Sequence, residues 1–225
     1  MNQLAETISG KRIVVVGPSP HLEGMGMGDK IDSYDVVCRL NELLPVGLEK
    51  DYGSRSDVLF WSMGCKFMDF FKGMIQDNPE MMSKVQLLVC PRRSNHVMPG
   101  PSSLEGVDVF TNYKELQTDV DFFHIGNELN DKFEKSIGCH PTVGALALLT
   151  LLEYNIRELF VCGMSFYTTK TRYNKYRSKF GGTLTGPPGH NINAEISFLQ
   201  THLHNYDNVS GDDMFLQSMI GDLNV

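Results

Sequence analysis

Short apolar runs punctuate the chain at residues 12–16, 35–39, 57–61, 86–90, 107–111 and 158–162. Each is rich in Val, Leu or Phe and is continuous rather than alternating, the pattern of strands covered on both faces. Segments of helical character lie between them, at about 65–76, 113–121, 126–136, 142–154 and 193–204. Strand alternating with helix predicts an α/β domain built on a largely parallel sheet. No repeat and no linker divides the 225 residues, so a single domain over 1–225 is expected. One long irregular stretch, 165–189, is a candidate functional loop by its length.

A parallel sheet binds ligands at the carboxyl ends of its strands. Those ends carry the polar exceptions of this sequence: Gly17-Pro-Ser-Pro20, Arg39-Leu-Asn41, Ser62-Met-Gly64 and Gly163-Met-Ser-Phe-Tyr167. The glycine-rich turn from Gly17 to Gly28 offers backbone amides that an anion can approach closely, or it merely shapes a turn. It lacks the Gly-Lys-Ser/Thr of a P-loop, and its spacing, with Pro18 and Pro20, disfavours a dinucleotide fingerprint.

Three further segments bear on chemistry. Cys139-His-Pro-Thr-Val-Gly144 opens a nearly all-apolar helix with Pro141 in its first turn. Its amino end would suit a phosphate, or would need only a cap. Residues 170–179 hold five cations and two tyrosines before a Gly/Pro-rich segment, and read as a solvated face or as a lid closing over an anion. His190 lies in a turn before an amphipathic helix, as a structural histidine or free to act as a base, while Glu195 lies inside that helix and would anchor the turn. Asp119-Val-Asp121 has the Asp-x-Asp form of a metal site but matches no expected strand end.

Charge and cysteine usage narrow the class. A net charge of −7 argues against nucleic acid as a partner while leaving room for a small anionic ligand. The amino terminus has neither the basic nor the apolar region of a signal peptide, and no apolar stretch approaches a membrane span. Five scattered cysteines are read as free thiols, which places the chain in the cytoplasm or another reducing compartment.

Together these segments resemble the sialyltransferases of glycosyltransferase family 29. The family's long motif reads here as Val15-Val16-Gly17-Pro18-Ser19, Gly24-Met-Gly-Met-Gly28, Ile31-Asp-Ser-Tyr-Asp35 and Arg39-Leu-Asn41. Its short motif is similar to Pro141-Thr-Val-Gly144 through Gly163-Met164, and its late His-x4-Glu motif is met by His190 and Glu195. Two positions depart: Pro18 replaces the family's nucleotide-contacting asparagine, and the region matching the third motif reads Arg172-Tyr-Asn-Lys-Tyr176, without that motif's histidine. The disulfide between the long and short motifs of animal members has no counterpart, because Arg12 or Ile13 and Ile156 stand there.

The resemblance implies a Rossmann-like domain of the variant GT-A type. It implies an inverting, metal-independent transfer of sialic acid, or a related 2-keto sugar acid, from a CMP-activated donor to a glycan hydroxyl, with no other cofactor. His190 would be the base and Glu195 would order its turn. Gly17, Ser19, Asn41, Thr142, Val143, Gly144, Tyr173, Lys175 and Tyr176 would bind the donor, with Arg39 and Arg55 facing its charges or making salt bridges. A CMP-activated eight-carbon acid as donor, or a binding protein without catalysis, are the other readings the departures leave open.

Overall fold

Alternate residues of each apolar run feed two different cores, which is why the runs do not alternate in polarity. In the computed structural model, Ile13 and Val15 of the first strand join Val36, Cys38, Val58, Phe60, Leu159 and Val161 on one face. Val14 and Val16 join Val37, Leu59, Trp61, Phe160 and Cys162 on the other. The structure describes residues 2–41, 47–63, 68–77, 79–95, 108–167 and 190–220.

Seven strands form the sheet: β1 Arg12–Val16, β2 Val36–Leu40, β3 Val58–Phe60, β4 Leu87–Cys90, β5 Asp121–His124, β6 Glu158–Cys162 and β7 Val209–Gly211. Their order is β5-β4-β3-β2-β1-β6-β7, and every pairing is parallel. The chain steps outward from β1 to β5 and then returns to lay β6 on the other side of β1. That reversal is the topological switch point, where open α/β sheets form their binding crevice. The helices Gln3–Ile8, Asn127–Ile137, Val143–Leu152, Ile192–Leu203 and Asp213–Ile220 line the first core, and Met68–Asp77 the second. Helix Val143–Leu152 is apolar all round and buried nearly throughout, so its placement is fixed by burial rather than by one amphipathic face.

The predicted α/β domain with a parallel sheet is observed, with one segment corrected. Residues 107–111 were expected as a strand; from Val109 the chain instead turns helical, as Val109–Glu115 preceded by Asp108. The fifth strand is Asp121–His124, and its half-exposed residues show no continuous apolar run. Among the described residues no helix is long and apolar enough to cross a membrane.

Candidate active site

At the switch point the turns after β1 and β6 run against each other. The Gly17 amide donates to the Cys162 carbonyl at 2.8 Å and the Ser19 amide to the Gly163 carbonyl at 3.0 Å. A Cβ on Gly17 would lie 2.3 Å from the Gly163 oxygen, and one on Gly163, whose φ is +69°, 2.5 Å from the Gly17 oxygen. Neither position admits a side chain. The Gly17 amide is engaged, and the residue allows the close approach of two strand ends. Pro18 has no N–H, so it adds no donor to this turn.

Ser19 is only 2% exposed. Its Oγ lies 2.9 Å from His21 Nδ1, and His21 Nε2 lies 2.8 Å from Asp212 Oδ2. Asp212 also accepts the Gly163 amide and the Phe215 amide, each at 2.8 Å. Burial alone would raise the Asp212 carboxyl, but the hydrogen bonds from His21, Phe215 and Gly163 hold it below the usual carboxylate range. Three neighbouring strand ends thus converge: Ser19 and His21 beyond β1, Gly163 beyond β6, and Asp212 beyond β7.

The rest of the glycine-rich turn does not cradle a foreign anion. The amides of Gly24 and Gly26 both donate to the Asp51 carboxylate at 2.9 Å. Arg39 is likewise built in: its guanidinium donates to the carbonyls of Arg55, Tyr52 and Gly53. Arg55 donates to the carbonyls of Asp32, Tyr34 and Asp35 and pairs with Asp57 at 2.7 Å. Asn41 differs. It takes a left-handed conformation, φ 57°, with its amide on the Phe60 carbonyl at 2.8 Å. Its side-chain Oδ1 is buried and, among the described residues, has no donor.

The second half of the site joins the turn before helix Val143–Leu152 to the segment 190–195. Thr142 caps that helix through Oγ1, which accepts from the Ala145 amide at 3.2 Å. Glu195, 1% exposed, accepts the Thr142 amide at 2.7 Å and the Thr142 hydroxyl at 2.6 Å. The anchoring expected of Glu195 is therefore exerted on the Thr142 cap rather than on the turn of His190 itself. Burial raises the Glu195 carboxyl, opposed by the two Thr142 hydrogen bonds and the charge of Arg92. No acceptor among the described residues takes the amides of Val143 and Gly144 at the helix start.

His190 donates from Nδ1 to the His140 carbonyl at 2.7 Å. The tautomer is thereby set, and Nε2 is left as an acceptor. Burial, reinforced by the Arg92 charge, pulls the ring down to about 4 against that hydrogen bond. Arg92 itself is 4% exposed and lies two residues beyond β4. It donates to the Pro141 carbonyl and meets His140 Nε2 at 2.7 Å. An arginine can only donate, so His140 Nε2 is an acceptor and the ring's proton is on Nδ1. Sequence reasoning missed Arg92, although Pro91-Arg92-Arg93 follows an apolar run as the other polar exceptions do.

Tyr173, Lys175, Tyr176 and nearly all of the expected lid, 165–189, lie outside the described residues. Asp121 starts edge strand β5 and Asp119 precedes it, at the amino ends of the strands and away from the crevice.

An all-parallel sheet of this order, with its polar exceptions at the strand ends, is a single α/β domain of the GT-A-like kind. The chain belongs to Glycosyltransferase family 29 (sialyltransferase), whose sequence profile matches residues 3–206. Mouse CMP-N-acetylneuraminate-beta-galactosamide-alpha-2,3-sialyltransferase 2 is 46% identical over 152 residues, 64% of this chain and 40% of the mouse protein. The match thus spans about two fifths of that relative. Among solved structures, the monofunctional alpha-2,3-sialyltransferase Cst-I of Campylobacter jejuni superposes with a TM-score of 0.59 at 16% identity, over 92% of this chain and 78% of that one. The sialyltransferase CstII of the same organism, in complex with cytidine-5'-monophosphate, gives 0.57 at 15% identity, over 90% and 80%.

Proposed function

We propose that this chain is an inverting, metal-independent sialyltransferase that moves sialic acid from a CMP donor to a galactoside hydroxyl. The donor follows from family membership and from the CMP complex of a structural neighbour, the acceptor class from the name of a rat relative, CMP-N-acetylneuraminate-beta-1,4-galactoside alpha-2,3-sialyltransferase. The observation that carries the reading is the fixed tautomer of His190. With Nδ1–H held by the His140 carbonyl, Nε2 takes the acceptor hydroxyl's proton as that oxygen attacks the anomeric carbon. The bond from the anomeric carbon to the phosphate oxygen breaks, and its electron pair leaves on CMP. The amides of Val143 and Gly144 and the Ser19 hydroxyl stabilise the departing phosphate, and Asn41 meets the nucleotide. Tyr173, Lys175 and Tyr176 complete the phosphate site by resemblance to the family.

The test is CMP release and glycan product formation from CMP-sialic acid and a β-galactoside, in the presence of EDTA. Turnover should survive the chelator, and the product should carry the inverted anomeric configuration. His190→Ala should lower kcat by a factor on the order of 10²–10⁴ with donor affinity nearly unchanged. Undiminished turnover in that variant removes His190 from the mechanism.

A further inference from the structure

Arg92 is only 4% exposed, yet among the described residues no carboxylate lies in ion-pair range of it. A buried cation without a counter-charge is costly, and its contacts show what it serves. Its backbone is fixed from two sides. Asn130 Nδ2 donates to the Pro91 carbonyl at 2.7 Å, and His124 Nε2 meets the Arg92 carbonyl at 2.6 Å. Its side chain then crosses to a single turn, where Nη1 donates to His140 Nε2 at 2.7 Å and to the Pro141 carbonyl. The same turn holds His190, whose Nδ1 donates to the His140 carbonyl at 2.7 Å. The His140 and His190 rings lie 5.3 Å apart, centre to centre. A continuous line of contacts thus runs from the end of β4 through His140-Pro141 to His190.

We propose that Arg92 is a positioning residue for His190: it holds the His140-Pro141 turn so that the His140 carbonyl takes the Nδ1 proton and Nε2 is presented to the acceptor hydroxyl. This rests on the reading of His190 as the base of sialyl transfer. The guanidinium acts in two ways. Its hydrogen bonds fix the peptide that sets the tautomer, and its charge opposes a second positive charge on the ring. The direction agrees, since burial first and the Arg92 charge next bring His190 to about 4 against the His140 hydrogen bond. Burial also pulls Arg92 below its usual range, opposed by the charges of Cys90, Tyr167, Glu195 and Glu134, but an arginine stays charged at any working pH. The nearby groups do not cancel that charge at contact. Burial pushes the Cys90 thiol up to about 12, so it is neutral. Glu195, on the helix that follows His190, is taken by the Thr142 amide and hydroxyl. Glu134, on helix Asn127–Ile137, faces His140 Nδ1 at 3.7 Å. Beside the turn of His190, Cys139 Sγ lies 3.7 Å from the Asn191 carbonyl.

Two variants separate the contacts from the charge. Arg92→Lys keeps the charge and a donor, whereas Arg92→Gln keeps a donor and loses the charge. Transfer from CMP-sialic acid to a β-galactoside is followed from pH 4 to 8. Nitrogen–proton correlation NMR of the whole chain reads the ring of His190, assigned by the signal missing from His190→Ala. Arg92→Gln should lose about tenfold or more in kcat with the donor KM within about twofold. Its kcat/KM at pH 5, relative to pH 7.5, should fall at least about twofold below the wild-type ratio, and its His190 should titrate at higher pH. Arg92→Lys should lie between the two proteins on both readouts. A folded Arg92→Gln protein with wild-type kcat, with wild-type titration of His190, or with its whole loss in donor KM overturns the proposal and leaves His190 as the base. The wild-type spectrum decides where neither variant folds: a His190 with its proton on Nδ1 and neutral at pH 5 upholds the proposal, and a proton on Nε2 or titration in the ordinary imidazole range overturns it. Unchanged turnover in His190→Ala overturns the base itself.

Discussion

Lowering the pH separates a buried neutral histidine from an ordinary one, because the base of the proposed reaction works only unprotonated. Burial and the neighbouring Arg92 charge bring His190 to about 4. With that value about nine tenths of the ring is neutral at pH 5, whereas at the ordinary value of about 6.5 only ~3% would be. The structure therefore predicts that kcat/KM at pH 5 stays near its value at pH 7.5, some 30-fold above what an unperturbed histidine would allow. The acid limb should be half-complete near pH 4. The assay is initial-rate CMP release at subsaturating CMP-sialic acid from pH 4 to 8, with spontaneous donor loss subtracted and folding followed by fluorescence of the buried Trp61. A limb centred near 6.5, with native fluorescence throughout, refutes either His190 as the base or its burial beside Arg92.

Further outcomes follow from single contacts. Glu195→Ala leaves the Thr142 amide and hydroxyl without their acceptor in a buried place, and should lower stability by about 3 kcal/mol in a denaturant melt, with Glu195→Gln restoring most of it. Thr150→Val should raise stability by about 1 kcal/mol and the Tm by a few degrees, since the Thr150 hydroxyl is buried with no partner among the described residues. Gly17→Ala forces a methyl against the Gly163 carbonyl; loss of soluble protein or several kcal/mol of destabilisation is expected, and a native-like melt would contradict the packing. Under native conditions a thiol reagent with mass mapping should modify half-exposed Cys139 well before buried Cys38, Cys90 and Cys162, whose thiols burial pushes upward.

What was legible in the sequence was whatever burial alone dictates. β1, β2, β3, β4 and β6 lie inside the sheet, covered on both faces, and a continuous apolar run is the direct consequence. The edge strands escaped for the same reason. β5 has half-exposed residues, and β7 is three residues, Val-Ser-Gly, paired on one side only. The site divides along the same line. His190, Ser19, Asn41 and the Thr142 helix start were legible as short local patterns, and the strand-end rule placed Ser19 and Asn41 on the crevice edge. Their partners were not, because a partner depends on which strands are neighbours. Glu195 meets Thr142 across 53 residues, and His21 meets Asp212 across 191. No spacing along the chain encodes either contact. The order β1-β6-β7 does, by setting the turns after those strands side by side, so that a histidine beyond the first meets an aspartate beyond the third. A polar exception at a strand end can be read from sequence, then, but its protonation state cannot. That state belongs to the contact, and the contact belongs to the strand order.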